Sequence, residues 1–154
     1  MLRSTTPKAV ILAAVMALLL GACAETRKPP TTSTPGHGDL GSYKVGAPYQ
    51  VNGVWYYPKA DLAYDESGIA SWYGPGFDGK QTANGETYDQ WALTAAHPTL
   101  PMPSMVQVTN LDNGRSIALR INDRGPFANN RIIDISPRGA QLLGFEDRGT
   151  AKVR

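Results

Sequence analysis

Five short apolar runs separated by turn residues fill the second half of this chain, and this spacing limits the fold more than any other feature. The runs span residues 69–73, 105–110, 116–121, 131–135 and 151–154. Each is shorter than a typical helix and has the length of a strand. Gly and Pro are frequent, with 16 and 12 copies, and they favour tight turns. The sequence therefore predicts a mainly β fold built as a small barrel.

Local patterns around these strands predict three further elements. Ser136 as N-cap, Pro137 at the first helical position and Gly144 at the end indicate one short helix. A weaker helical turn is predicted over residues 88–92. Upstream, Asn52-Gly53 separates two aromatic-rich runs within residues 43–58. This pattern is typical of a hairpin, and we expect a small β ribbon that lies against the main body.

The N-terminus has the pattern of an export signal. Residues 9–20 are apolar, Arg3 and Lys8 precede this run, and no acidic residue occurs before Glu25. This run is too short to span a bilayer and fits the core of a signal peptide. Small residues before Cys23 resemble the bacterial lipobox, so we expect lipidation of Cys23; the alternative is a plain signal cleaved near Ala22 or Ala24. Lipidation would consume the only cysteine of the chain.

Charge and composition exclude several classes of function. The chain has 15 basic and 13 acidic residues, and removing Arg3 and Lys8 with the signal leaves 13 of each. A nucleic-acid binder would need a basic face, so no nucleic acid is expected as a partner. Two histidines and one cysteine provide no ligand cluster, so no metal and no cofactor are expected. The predicted organisation is a signal peptide (1–22), a lipidated Cys23 with a flexible tether (23–42), a ribbon and connector (43–67) and a barrel domain (68–154).

Three polar residues form a candidate acid–base set. Asp123 lies between an apolar run and Gly125-Pro126, Glu86 follows the turn dipeptide Asn84-Gly85, and His97 precedes a proline. Carboxylates and an imidazole in one small domain suit acid–base chemistry on a polar substrate. Each has an alternative interpretation: Asp123 paired with Arg124 in a tight turn, Glu86 as an exposed turn charge, and His97 as a packed side chain.

Asp134 is a fourth candidate because it interrupts an apolar strand. Alternation places it on the face of Ile132 and Ser136, opposite Ile133 and Ile135. Its carboxyl is expected either to accept bonds from nearby backbone amides or to stay protonated as a proton donor. The residues predicted to bind substrate are Trp72, Tyr73, Asn84, Arg124 and Ser136.

Several motifs together resemble the rare lipoprotein A (RlpA) family. They are Gly68-Ile69-Ala70-Ser71-Trp72-Tyr73-Gly74, Thr82-Ala83-Asn84-Gly85-Glu86, Thr94-Ala95-Ala96-His97, Asn122-Asp123-Arg124-Gly125-Pro126-Phe127 and Ile132-Ile133-Asp134-Ile135-Ser136. The resemblance implies a six-stranded double-psi β-barrel and a periplasm-facing outer-membrane lipoprotein that acts on peptidoglycan. Glu86, His97 and Asp123 match the proposed active-site positions of that family, and Asp134 matches the proton donor of related endoglucanases. A C-terminal repeat domain found in many members is not expected here.

The resemblance implies a lytic transglycosylase that cleaves the β-1,4 bond between N-acetylmuramic acid and N-acetylglucosamine and leaves 1,6-anhydro ends. Peptide-poor glycan strands are the expected substrate, and the cell-division machinery is a candidate partner. Asp123 or Glu86 would be the general acid, His97 would orient or hold a charge, and Arg124 would contact substrate. The alternatives are a non-catalytic peptidoglycan-binding lipoprotein and an inverting hydrolase, which needs two carboxyl groups about 6.5–9.5 Å apart.

Overall fold

The structure is a computed structural model that describes residues 41–154 except 75 and 129. The predicted signal peptide, Cys23 and nearly all of the tether lie outside the described residues. Within the described part, no helix is long and apolar enough to cross a membrane.

Eight strands and one α-helix make up the described chain. They are β1 (Tyr49–Val51), β2 (Val54–Tyr56), β3 (Gly68–Trp72), β4 (Thr94–Ala96), β5 (Ser104–Thr109), β6 (Ser116–Asp123), β7 (Ile133–Ile135), α1 (Pro137–Leu143) and β8 (Thr150–Val153), with a 3₁₀ turn at Glu146–Arg148 between α1 and β8. Six of the strands form one mixed sheet in the order β5-β6-β4-β7-β3-β8. The pairs β3–β7 and β4–β6 are parallel, and the others are antiparallel.

The two outer strands of this sheet meet and close it. Thr109 and Arg154 exchange both backbone hydrogen bonds, at 2.7 and 2.9 Å, and the N–H of Leu111 donates to the carbonyl of Lys152 at 2.9 Å. Closure removes unpaired edges along this part of the sheet. The result is the six-stranded double-psi β-barrel that the resemblance implied, with one short helix packed on it.

The barrel interior holds the apolar side chains that alternate along the strands. Ala70, Ala95, Ile121, Ile133 and Ile135 are at most 5% exposed, and α1 and the 3₁₀ turn add Leu143 and Phe145. Burying each large apolar side chain of this kind stabilises the fold by about 1.5–3 kcal/mol. Because alternate residues point inward, the polar residues between them face the outside of the sheet.

Most of the predicted elements are confirmed. The five predicted strands are present with bounds shifted by up to two residues, and α1 has the expected cap, with Ser136 Oγ accepting from the N–H of Gly139 at 3.2 Å. The ribbon is also confirmed, with positive φ at Asn52 and Gly53 (49° and 82°), as a two-residue hairpin turn requires.

One predicted element is absent and one strand was not predicted. Residues 88–92, where a helical turn was predicted, form no helix and contain only a non-helical turn, in which the N–H of Ala92 donates to the carbonyl of Asp89 at 3.1 Å. Strand β4 was not predicted, because two of its three residues are alanines, which favour strands weakly. Its strand conformation follows from its position between β6 and β7, where it is fully buried.

Candidate active site

An extra residue in β6 turns the Asp123 side chain away from the core. In the parallel pair of β4 and β6, Ala95 lies opposite Ile121, but Ala96 lies opposite Asp123, so Asn122 is an additional residue on β6. In a regular strand Ile121 and Asp123 would face the same way, because residues two apart lie on the same face. Irregularities of this kind redirect single side chains near functional sites. Here the irregularity keeps Ile121 in the core and places Asp123 on the outer face.

Asp123 and Asp134 lie in one row across that outer face. Ala96 is opposite Asp123 on one side and opposite Asp134 on the other, and Asp134 is opposite Ser71. Neighbouring strands are about 4.8 Å apart, so the backbones of the two aspartates are roughly 10 Å apart. Ala96 contributes only a methyl group to the space between the two carboxyl groups. The sheet therefore brings both predicted aspartates to one face.

The half-buried carboxyl of Asp123 is held by three donors. Oδ1 accepts from the N–H of Ala83 at 2.9 Å and from that of Arg124 at 2.8 Å, and Oδ2 accepts from the Tyr73 hydroxyl at 3.2 Å. Burial, followed by the charge of Asp123, raises the pKa of Tyr73, so its hydroxyl stays protonated and donates. These contacts fix the orientation of the carboxyl and leave Oδ2 as its less occupied oxygen.

The Glu86 carboxyl is enclosed. Glu86 is 3% exposed. Its Oε1 accepts from Asn84 at 2.8 Å and pairs with the Arg120 guanidinium, and its Oε2 accepts from Asn122 at 2.8 Å. Burial alone would raise the pKa of Glu86, but the hydrogen bonds from Arg120, Asn122 and Asn84 outweigh it and hold the pKa below its usual value. Glu86 is therefore ionised and fully paired.

Through its bonds to Arg120 and Asn122, Glu86 attaches its own loop, which also contains Ala83, to β6. Thr82 donates to the carbonyl of Glu86 through its backbone N–H at 2.8 Å, and its hydroxyl donates to Asn84 Oδ1 at 2.8 Å. Asn84 is 1% exposed and uses its side-chain amide inside the loop. This network fixes the Ala83 N–H that binds Asp123. Asn84, which was predicted to bind substrate, is almost completely buried.

Both ring nitrogens of His97 form hydrogen bonds within the protein. Nδ1 accepts from the N–H groups of Thr99 and Leu100 at 3.1 and 3.0 Å, and Nε2 lies 2.9 Å from the Tyr64 hydroxyl. Acceptance at Nδ1 places the ring proton on Nε2. Burial, with Arg124 nearby, lowers the pKa of His97 to about 4, so the ring is neutral at pH 7. Among the described residues, the hydrogen bond between His97 and Asp123 involves backbone groups alone. The N–H of His97 donates to the backbone carbonyl of Asp123 at 3.1 Å.

Arg124 turns away from Asp123 and binds backbone carbonyls. Its guanidinium donates to the carbonyl oxygens of His97 (3.1 Å), Leu100 (2.6 Å) and Val45 (2.6 Å). None of the ion pairs between described residues includes Arg124, so the pairing with Asp123 that we considered from the sequence is not observed. Arg124 instead fastens the 97–100 turn and the lead-in segment beside the site.

Asp134 is paired with a hydroxyl and a cation. Ser71 Oγ donates to its Oδ1 at 2.5 Å, and Arg131 Nη1 lies 3.4 Å from the same oxygen. Arg131 also donates to Ser71 Oγ. The side chain of Asp134 is 18% exposed. The partners of Asp134 in the described residues are therefore side chains rather than the backbone amides that the sequence suggested as one possibility.

The remaining predicted residues differ in accessibility. Trp72 is half-buried, packs on the core and donates its indole N–H to the carbonyl of Glu146 at 3.1 Å. Ser136 is fully buried as the cap of α1. Tyr73 is half-buried, with its ring centroid 4.8 Å from that of Tyr88 and 5.7 Å from that of Phe77. Of these three predicted residues, only Tyr73 reaches the Asp123 carboxyl.

Two exposed phenylalanines near Asp123 were missed by sequence reasoning. Phe77, which is 48% exposed, contacts the ring of Tyr73. Phe127, which is 40% exposed, follows the Gly125-Pro126 turn and packs edge-to-face on Tyr49 and Tyr56 of the ribbon. The motif around Asp123 included Phe127 but gave no sign of its exposure. In the described residues, no group of three or more His, Cys, Asp or Glu side chains could hold a metal ion.

Comparison with known proteins gives consistent matches to this part of the chain. A family model described as "Lytic transglycolase" matches residues 65–154. The endolytic peptidoglycan transglycosylase RlpA of Rickettsia bellii is 43% identical over 94% of this chain and 70% of its own length. RlpA proteins of Pseudomonas aeruginosa and Helicobacter pylori are 56% and 57% identical over 74% and 70% of this chain. The chain spans only 33% and 34% of those two relatives. Among solved structures, the Streptomyces papain inhibitor matches 60% of this chain with 21% identity and a TM-score of 0.45.

Proposed function

Because the chain belongs to the lytic transglycolase family, with RlpA proteins among its relatives, we propose that it is an enzyme that cleaves the glycan strands of peptidoglycan. The bond is the β-1,4 linkage between N-acetylmuramic acid and N-acetylglucosamine, and the product carries a 1,6-anhydro-N-acetylmuramic acid end. The names of the three relatives, endolytic peptidoglycan transglycosylases, support this substrate class.

The observation that carries the proposal is the position of Asp123. It is a partly exposed carboxyl, turned outward by the extra residue in β6 and oriented by three hydrogen bonds. In its acid form it gives a proton to the glycosidic oxygen as the bond from that oxygen to the anomeric carbon breaks. The resulting carboxylate takes the proton of the muramic 6-hydroxyl as its oxygen bonds to the anomeric carbon. No water is consumed, and proton transfer of this kind contributes about 10²–10⁴-fold to a rate.

Glu86 and His97 then act as positioning residues. Glu86 is buried and ionised, so it has no proton to donate at neutral pH and no route to a substrate. His97 is neutral and its ring nitrogens are occupied. Their contacts hold the two loops that pack around Asp123, through the Ala83 N–H and the 97–100 turn. We assign the proton transfers to Asp123 alone.

The glycan lies across the outer face of the sheet in this proposal. Asp134, Ser71 and Arg131 form a polar group two strands from Asp123 and bind sugar hydroxyls. The exposed rings of Phe77 and Phe127 offer flat apolar surfaces for the C–H faces of sugar rings. We propose peptide-poor strands as the preferred substrate, as the resemblance to the RlpA family implies.

The protein is proposed to act from a lipid anchor on Cys23 at the periplasmic face of the outer membrane. The apolar run of residues 9–20 and the small residues before Cys23 support export and lipidation. The cell-division machinery is the proposed partner. Labelling with radioactive palmitate, with Cys23→Ala as the control, tests the anchor: incorporation into the Cys23→Ala protein would contradict it.

A non-catalytic peptidoglycan-binding protein is the second candidate. The specific observation in its favour is that Glu86 and His97, two of the four predicted catalytic side chains, are fully engaged within the protein. A hydrolase is the third candidate function. An inverting hydrolase separates its two carboxyl groups by about 6.5–9.5 Å, and the backbones of Asp123 and Asp134 are roughly 10 Å apart, which is close to that range.

Mass spectrometry of digestion products separates the three. Peptide-free sacculi are incubated with the protein and with Asp123→Asn, which keeps the size of the side chain and removes the acid. We expect 1,6-anhydro ends with the native protein and at least a 100-fold lower rate with Asp123→Asn. Reducing ends would indicate hydrolysis, and sedimentation with sacculi without released products would indicate binding. Unchanged activity of Asp123→Asn would refute its catalytic role.

A further inference from the structure

A cavity of about 660 Å³ runs along the outer edge of β5. All six residues of β5 line one wall, and the connector residues 60–62 and 64–66 line the other. Leu100, Ile132 and Val153 form part of its apolar lining. His97 is among the lining residues, but Asp123, Asp134 and the exposed phenylalanines are not. The cavity therefore adjoins the positioning residue His97 and is distinct from the outer face that carries Asp123.

The backbone of β5 faces this cavity with unpaired polar groups. Thr109 exchanges hydrogen bonds with Arg154, so its N–H and C=O point away from β6. In an antiparallel ladder the direction of these backbone groups alternates from residue to residue. The N–H and C=O groups of Met105 and Gln107 therefore also point away from β6. The hydrogen bonds of Arg120, which lies opposite Met105 on β6, support this direction. The N–H of Arg120 donates to the carbonyl of Leu93, on the side of β6 away from β5. In the described chain, no strand pairs with β5 at Met105 or Gln107 on the cavity side.

The side chains along this edge alternate in the same way as in a paired strand. Val106 and Val108 face inward and pack with the core, whereas Met105 is 65% exposed. Across the cavity, Leu62 is fully exposed, and Tyr43 is 67% exposed. An incoming strand would place alternate apolar side chains beside Val106 and Val108, on the inward face, and leave its other side chains at the surface.

The connector side of the cavity is acidic. Asp61 is paired with Lys59 at 3.3 Å, and Asp65 is paired with Arg154 at 2.5 Å. Glu66 accepts a hydrogen bond from Tyr64 at 2.7 Å and is in none of the ion pairs between described residues. One carboxylate at the rim is thus without a cation, which favours a basic side chain in an occupant.

We propose that the β5 edge binds an extended peptide segment of a partner protein, which adds as a strand antiparallel to β5. The segment continues the ladder that Arg154 begins, pairing its backbone with Gln107 and Met105. Its residues alternate between apolar side chains beside Val106 and Val108 on the inward face and polar ones at the surface, with a Lys or Arg near Glu66. Strand addition of this kind takes its affinity from backbone bonds and its specificity from alternate pockets. The inference is independent of glycan cleavage.

Gln107→Pro tests the backbone contact directly. Proline removes the N–H of Gln107, which faces the cavity, and leaves the bonds of Val106 and Val108 to β6 intact; prolines are tolerated on such edges. Gln107→Thr is the matched control, because it changes the side chain and keeps the N–H. The probe is a fluorescent acetylated hexapeptide of alternating valine and lysine, and binding is followed by anisotropy. We expect Gln107→Thr to bind within about twofold of the native protein and Gln107→Pro to bind at least tenfold more weakly.

A Glu66→Gln variant tests the charge contact, and we expect about a threefold weaker affinity for the lysine peptide. Hydrogen exchange of the native protein provides a measurement that needs no variant: the peptide should slow exchange at the Met105 and Gln107 amides. The proposal is overturned if the peptide does not bind, if Gln107→Pro binds it as well as Gln107→Thr, or if those two amides gain no protection. Self-association that Gln107→Pro abolishes would identify a second copy as the occupant and would also overturn it.

Discussion

The Tyr73 hydroxyl donates a hydrogen bond to Asp123 Oδ2 at 3.2 Å, across 50 residues of sequence. The same ring packs against Tyr88, whose own hydroxyl is buried and has no hydrogen-bond partner among the described residues. Of these two neighbouring tyrosines, only Tyr73 donates a hydrogen bond to the candidate general acid.

This difference gives the first prediction. Tyr73→Phe should lower kcat about 10-fold, because it removes the donor that orients Oδ2, a bond to a charged group worth about 1.5 kcal/mol. Tyr88→Phe removes a hydroxyl that binds nothing and should change kcat less than twofold. Initial rates of anhydro-end release measure both. Equal effects of the two substitutions would show that the Tyr73 hydroxyl does not act on Asp123.

The second prediction separates stability from catalysis at Glu86. Glu86→Gln weakens the pairing with Arg120, whose side chain is 27% exposed, and should lower the free energy of unfolding by about 1–3 kcal/mol. Below the melting transition, kcat should stay within about fivefold of native. If Glu86 were the acid, kcat would fall 10²–10⁴-fold with little change in Tm. Asp112→Asn, at the exposed pair with Arg148, is the control and should change stability by under about 0.5 kcal/mol.

Glu86 also predicts how stability depends on acid. Its pKa is lower in the folded protein than in the unfolded chain, so its stabilising contribution is full above about pH 5 and is lost as the pH falls through the lower, folded value. Urea unfolding of Glu86→Gln against the native protein should therefore show a stability difference that narrows below about pH 4. A difference that widened in acid would contradict the ion pair.

His97 leads to a third prediction with a different pH range. Its pKa is about 4 in the folded protein and about 6.5 in an unfolded chain, so the unfolded state binds more protons between these values. Stability from this group is full above about pH 6.5 and falls as the pH drops toward 4, by about 3 kcal/mol in total. His97→Asn should flatten this dependence. It should also keep substantial activity, because an Asn oxygen can accept the N–H two residues ahead, as Nδ1 does from Thr99.

A tenfold loss of activity in folded His97→Asn would contradict the positioning role and would return His97 to the chemistry. The measurement is kcat at pH 7 alongside unfolding curves at pH 7, 5.5 and 4.5. His97→Phe is a useful comparison, because it fills the space without an acceptor for the Thr99 and Leu100 amides. It should lose more stability than His97→Asn.

Particular residues show how far the sequence could predict this molecule. Alternating runs and turn residues predicted the strands because the pattern of burial is local. The turn after Asp123 identified the carboxyl because an acid before Gly125-Pro126 is unusual within an apolar context. The partners of Glu86 could not be found this way, since Arg120 lies within a predicted strand 34 residues further along the chain and meets Glu86 only through the fold. The same holds for Tyr64, which binds His97 from the connector.

The direction of Asp123 was also outside the reach of a sequence pattern. Strict alternation would put Asp123 on the face of Ile121, which is fully buried. Only the register of β4 against β6 shows that Asn122 is an additional residue. Whether a strand contains an extra residue depends on its neighbours, and single-strand periodicity carries no information about them.

This extra residue gives the last prediction. Deleting Asn122 makes Ile121 and Asp123 adjacent residues, and strict alternation places adjacent side chains on opposite faces, so Asp123 should still point outward. The deletion removes the 2.8 Å bond from Asn122 Nδ2 to Glu86 and the carbonyl that accepts from the N–H of Asn84 at 3.4 Å, whereas Asn122→Ala removes only the first of these, at a cost of about 1–2 kcal/mol. We therefore expect both variants to fold with lower stability and to release anhydro ends, Asn122→Ala within about fivefold of the native rate. A folded deletion variant without activity would contradict this account of the direction of Asp123, and circular dichroism with the product assay distinguishes these outcomes.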